Sequence, residues 1–205
     1  MKKLLIPIFL MLVLVGLVTA LSIDPIADKT VNENETLAIT LTTDYTGNDT
    51  LVFDITPTLG TITNLDNATG LFNWTPDFTE AGTYDVVFSV TDGIDTDTEN
   101  ITITVNDVNR APTVTGASYT MDGWEETITK TITASDPDTD NTLTYSIKTE
   151  NASQADCSIV NTNQLQVARV ASWRGTAHCT VEVTDNHGAK DDAQFTITIK
   201  RETKL

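Results

Sequence analysis

Two stretches concentrate the oxygen atoms that could do chemistry in this chain. One is Val105-Asn106-Asp107-Val108-Asn109-Arg110-Ala111-Pro112, a short, stiff connector between strand-like runs. The other, about thirty residues on, is Asp136-Pro137-Asp138-Thr139-Asp140-Asn141. Carboxylate and amide oxygens at this density suit a hard divalent cation, since calcium takes about six to eight oxygens at roughly 2.3–2.6 Å. The same residues also suit plain polar turns, because Asp and Asn side chains hydrogen-bond their own backbone two residues on. Composition alone leaves both readings open.

Other chemistry is thinly represented. The two histidines are His178 and His187, and His187 sits in the turn tripeptide Asn186-His187-Gly188. No Ser or Cys nucleophile motif accompanies them, and carboxylate pairs arise by chance in so acidic a chain. Catalysis is therefore not expected. Trp124 and Trp173 could form a sugar-stacking face, or Trp124 could simply pack near a strand end and Trp173 against a disulfide. Six Asn-x-Ser/Thr sequons, at Asn34, Asn48, Asn67, Asn73, Asn100 and Asn151, are glycan acceptors if the chain reaches a glycosylating compartment.

The N-terminus indicates export. Lys2 and Lys3 precede an uncharged run from Leu4 to Val18, and Val18-Thr19-Ala20 ends in the small residues of a cleavage site. Residues 1–20 read as a secretory signal peptide, too short for a lasting span. The mature chain, from Leu21, has net charge −19 and no second apolar run of spanning length. It is expected to be secreted or held at the cell surface. Between Thr30 and Asn109 there are fourteen Asp and Glu and no Lys or Arg, which excludes nucleic acid as a partner because phosphate needs clustered cations. Cys157 and Cys179, the only cysteines, form an even pair outside the cytoplasm and read as a disulfide. A metal pair with His178 is disfavoured, since His178 is out of phase with Cys179.

Strands must position all of these groups. Thr, Val and Ile suit a pleated, half-buried surface, and helical periodicity is absent. Tyr84, Val86, Phe88 and Val90 share one face, as do Ile101, Ile103 and Val105. Further on, Cys179, Val181 and Val183 share a face, and so do Phe195, Ile197 and Ile199. Short strands punctuated by turns predict antiparallel β-sandwiches. The pattern also repeats. Leu51-Val52-Phe53-Asp54-Ile55 answers Leu143-Thr144-Tyr145-Ser146-Ile147, and Val90-Thr91-Asp92-Gly93 answers Val183-Thr184-Asp185-Asn186. The expected organisation is all-β, with one sandwich over residues 21–108 and a second over 109–205.

Gly70-Leu71-Phe72-Asn73-Trp74-Thr75-Pro76-Asp77, Glu80-Ala81-Gly82-Thr83-Tyr84 and Val90-Thr91-Asp92-Gly93 resemble the dystroglycan-type cadherin-like and immunoglobulin-like modules of microbial surface proteins. The second half is similar to the broader cadherin-like group through Asp136-Pro137-Asp138, Trp173-Arg174-Gly175 and Val183-Thr184-Asp185, and Asp107-to-Pro112 is similar to the cadherin linker. The resemblance implies noncatalytic adhesion or scaffolding, often with calcium. Matched residue by residue, it implies as calcium ligands Glu35 (or Glu33), Asp107, Asn109, Asp136, Asp138 and Asp185. The chain departs from the pattern at Arg110, which stands where a further Asn is usual. It departs again at Asp77-Phe78-Thr79, where only the first acid of a triplet survives. Weak binding of one or two ions at the interdomain junction is the expectation. Without an ion, carboxylates about 5 Å apart would repel by roughly 3 kcal/mol.

The sequence thus predicts an extracellular surface module that adheres to other surface proteins or to itself, with glycans as possible partners. The alternative is a carbohydrate-binding accessory module, or a noncatalytic fragment of a larger secreted hydrolase or surface-layer protein.

Overall fold

The structure, a computed structural model, describes residues 20–59, 63–139 and 142–201. The expected leader lies outside these residues except for Ala20, and so do Asp140 and Asn141. The chain divides into two compact units at Val108/Asn109.

Unit 1 contains strands β1 (Lys29–Asn32), β2 (Leu37–Thr40), β3 (Val52–Thr56), β4 (Thr63–Asp66), β5 (Leu71–Trp74), β6 (Gly82–Thr91) and β7 (Thr96–Asn106). They form a four-stranded sheet in the order β1-β7-β6-β3 and a three-stranded sheet in the order β2-β5-β4. All neighbours are antiparallel except β1, which runs parallel to β7. Alternation sets the faces: on β6, Val86, Phe88 and Val90 are buried and Tyr84 is half-buried. Phe72 and Trp74 of β5 meet them from the other sheet. Phe72 lies edge-on to Phe88 at 5.3 Å, and Trp74 edge-on to Tyr84 at 5.0 Å, the geometry that ring quadrupoles favour. The β6–β7 turn needs Gly93, whose φ of 91° disfavours a side chain. Asp92 Oδ1 closes that turn by accepting from the N–H groups of Ile94 and Asp95.

Unit 2 contains β8 (Thr113–Thr115), β9 (Ser118–Met121), β10 (Thr127–Thr131), β11 (Thr133–Ser135), β12 (Thr144–Glu150), β13 (Ala155–Val160), β14 (Gln164–Arg169), β15 (Gly175–Thr184) and β16 (Lys190–Ile199). Its four-stranded sheet runs β12-β15-β16-β9 and its three-stranded sheet β10-β14-β13. β9 is parallel to β16, as β1 is to β7. The two units therefore share one topology, and the sequence repeat is a structural repeat. Unit 2 adds a two-stranded sheet of β8 and β11. It arises where β10 ends and β11 begins, at buried Ile132, whose N–H leaves both ladders to donate to Asn163 O.

The cores differ in how they are tied. Unit 1 relies on its aromatic cluster. Unit 2 buries Cys157 of β13 and Cys179 of β15, joined in a disulfide with a Cα separation of 6.4 Å. This bond runs from the three-stranded sheet to the four-stranded one and staples the sandwich through its core. Trp173 packs half-buried against that core, whereas Trp124 is 73% exposed in the β9–β10 turn.

Closing a loop with a sequence separation of 22 restricts the unfolded chain by about 3 kcal/mol. Cys157→Ala/Cys179→Ala is therefore expected to lower the stability of unit 2 by about that amount. The near-UV circular dichroism melt of unit 1, dominated by Trp74 and Tyr84, should stay in place. Thiol counting of the denatured, unreduced chain should find no free thiol.

Candidate functional site

The expected site residues fall in both units, Glu35 and Asp107 in unit 1 and Asn109, Asp136, Asp138 and Asp185 in unit 2. In unit 1 the acid that reaches the linker is Glu33. It is 2% exposed, and both its carboxylate oxygens accept backbone N–H groups: Oε1 from Ala81 at 3.1 Å and Oε2 from Val108 at 2.9 Å. Glu35, matched by resemblance, is exposed and accepts from Asn32 Nδ2 at 3.2 Å. Asp107 is exposed. The parity of β1 identifies Glu33 in retrospect, since it follows inward-facing Val31 by two residues.

In unit 2 the first two residues each hold one acidic loop. Asn109 Nδ2 donates to Asp185 Oδ2 at 2.9 Å. Asp185 is 4% exposed, and its Oδ1 accepts from the N–H groups of His187 (2.8 Å) and Ala189 (2.9 Å), closing the β15–β16 turn. Arg110 grips Asp138 three ways: backbone N to Oδ2 at 2.6 Å, Nε to Oδ1 at 2.7 Å, and Nη2 to Oδ1 at 2.6 Å. Its Nη2 also donates to Pro137 O at 2.8 Å. Asp136 Oδ1 accepts from Asp138 N at 2.8 Å, an Asx turn inside the loop.

These contacts settle the electrostatics. The Arg110 backbone N–H, then its side chain, holds the Asp138 carboxyl below the usual carboxylate range. The Asn109 amide, followed by the turn N–H groups, does the same for Asp185. Repulsion expected around Asp138 is relieved by a guanidinium of the same unit. Calcium, implied by the linker resemblance, needs free carboxylate oxygens. Both Asp138 oxygens already face Arg110, so this donor set does not fit the ion as it stands. Among the described residues no group of three or more His, Cys, Asp or Glu side chains is placed to hold a metal.

The remaining candidates are scattered. Asn34, Asn48, Asn100 and Asn151 are exposed, Asn34 with φ at 59°. Asn73 is half-buried between inward Phe72 and Trp74. Asn67 donates its Nδ2, the atom a glycan would occupy, to Phe53 O at 2.7 Å. His178 is exposed on β15, with Nδ1 3.3 Å from Thr196 Oγ1. Among the described residues no helix is long and apolar enough to cross a membrane.

Both acidic contacts generate predictions. Glu33→Gln leaves one of two buried N–H donors without an acceptor, and should cost unit 1 about 1–3 kcal/mol in denaturant unfolding. Lowered folded pKa values favour the native state above the usual carboxylate range, and that contribution drains away as pH falls through the folded values. Unit 2 should therefore lose stability in acid, and Asp138→Asn should flatten that dependence in melts followed across the acid range.

Comparison with known proteins agrees with the topology. Residues 18–106 match the "Putative Ig domain" family and residues 109–198 the "Bacterial Ig domain" family. No curated protein matches the chain in sequence. Human protocadherin-24 EC1-2 is similar in structure, with a TM-score of 0.60 at 16% identity over 89% of this chain and 99% of that one. PcdhgB3 EC1-4 gives 0.57 at 16% identity over 88% and 49%, and Drosophila N-cadherin EC1-4 gives 0.52 at 16% over 86% and 50%. Identities this low speak for fold alone. Each unit has a four-stranded and a three-stranded sheet, and the chain is a tandem pair of immunoglobulin/cadherin-like β-sandwich modules.

Proposed function

We propose that this chain is a noncatalytic extracellular segment that serves adhesion or surface scaffolding. The observation that carries the reading is the use made of the acidic groups. The carboxyls of Asp66, Asp77, Asp92, Asp138 and Asp185 are all held below the usual range by hydrogen bonds from backbone and side-chain donors. These groups cap turns and tie loops, as a mechanical module requires. The disulfide, the sequons and the leader-like N-terminus support an oxidising destination outside the cytoplasm.

Exposed Trp124 favours a second reading, a carbohydrate-binding accessory module, because an indole face offers a sugar its apolar side. Calcium belongs to the first reading only if it can draw Asp138 away from Arg110, which calorimetric titration of the mature chain measures directly.

Beads coated with the mature chain are expected to aggregate with one another or to bind the surface of the producing cell. Panels of glycosides, peptides and phosphoesters should show no turnover. Turnover abolished by a single carboxylate or histidine substitution would overturn the reading. Saturable binding to a glycan, lost in Trp124→Ala, would replace it with the second.

A further inference from the structure

The linker resemblance implies calcium among the acidic loops of unit 2, yet the residues present there hold a cation of their own. We propose that Arg110 is the resident counter-ion of this cluster, so that unit 2 closes its Asp136–Asp138 loop without a metal. The inference concerns unit 2 alone and is independent of the adhesion reading.

Geometry carries it. Asp138, with a side chain 11% exposed, has Oδ2 on the Arg110 backbone N and Oδ1 on both Nε and Nη2. A guanidinium fork presents these donors in one plane and matches a carboxylate better than an ammonium does. The fourth contact, Nη2 to Pro137 O, places a backbone carbonyl of the same loop on the same group. Carboxylate and loop carbonyl oxygens are the atoms a calcium ion would collect, and here they converge on guanidinium nitrogen. The charge serves as well as the hydrogen bonds. Asp185 lies close enough to Asp138 to oppose its ionisation, and Arg110 favours it. Unit 1 gives the internal contrast: Thr46 stands where unit 2 has Asp138, so the acid and its arginine occur in the same repeat.

The chemistry predicts a reciprocal behaviour. While Arg110 is present, calcium must break a charged pair, in which Nε and Nη2 both donate to Oδ1, before it can bind that oxygen. Once the Arg110 side chain is replaced, Asp138 Oδ1 becomes available while Oδ2 still accepts the backbone N–H of residue 110, and anything that binds only the folded state then stabilises it.

The test is thermal melting of the full mature chain in millimolar calcium and in chelator. It is paired with calorimetric calcium titration of wild type, Arg110→Asn and Arg110→Lys. Wild type is expected to melt alike in both buffers, within about 1 °C. Arg110→Asn should melt lower in chelator, by about 5 °C, and recover in calcium, with saturable calcium binding. Arg110→Lys keeps the charge but not the fork, so it should fall between them and remain insensitive to calcium. A wild type stabilised by calcium as strongly as Arg110→Asn would overturn the proposal. So would an Arg110→Asn that melts like wild type in chelator. Should Arg110→Asn not fold at all, a double-mutant cycle of Arg110→Lys with Asp138→Asn decides. Additive effects count against the pair, and coupling in chelator counts for it.

Discussion

Backbone N–H groups carry much of the negative charge of this molecule. A unit with fourteen acids and no Lys or Arg between Thr30 and Asn109 cannot neutralise itself through ion pairs. It turns its carboxylates onto its own main chain instead. Asp28 accepts from Thr102 N, Asp97 from Ile23 N and Glu99 from Ile26 N, each joining the N-terminal segment to β7 across more than seventy residues. Asp66, Asp77 and Asp92 close turns, and Glu33 holds Ala81 and Val108. A hydrogen bond to a charged acceptor contributes more than a neutral one, so the acidity that would unfold a poorly connected chain helps to define this one.

The second unit solves the same problem with cations. Lys148 pairs with Asp192, Lys190 with Glu182, Lys200 with Asp122 and Arg110 with Asp138. The three lysine pairs are largely exposed and count for little. Arg110–Asp138 differs because it is sheltered and because the same arginine holds its partner by main chain and side chain together. One topology thus tolerates two charge strategies, as it tolerates an aromatic cluster in one core and a disulfide in the other.

Period-2 alternation made the fold legible from sequence. The inward sets on β6, β7, β15 and β16 are those the alternation names, because a strand with one buried face admits no other register. The repeat was legible for the same reason. The site was less so. Resemblance points to Asp185 and Asp138, but not to the partners that fix them, since hydrogen bonds such as Asn109 to Asp185 link residues 76 apart. Motif spacing points to Glu35 or Glu33 without saying which face either side chain takes; the fold buries Glu33 and exposes Glu35. Arg110 read as a disturbance beside an ion, whereas the fold makes it the group that Asp138 answers.

The two units also end differently, and the difference is chemical. The turn Asn32–Glu35 and the turn Asp122–Glu125 close alike, each with its first and last residues exchanging hydrogen bonds. Between them unit 1 places Glu33, whose carboxylate turns inward to receive main-chain N–H groups. Unit 2 places Gly123 at the matching position, with no side chain at all. There the carbonyl of Gly123 accepts from Arg169 Nη1 and Arg174 Nη2. The polarity of the interaction is reversed: acid on N–H in one unit, guanidinium on C=O in the other. In unit 1 that acid binds the N–H of Val108. Among the described residues, the end that carries a buried acid in unit 1 carries guanidinium groups in unit 2. The repeat therefore preserves strand order and turn closure while letting the charge at equivalent ends change sign, just as it lets the core change from an aromatic cluster to a disulfide.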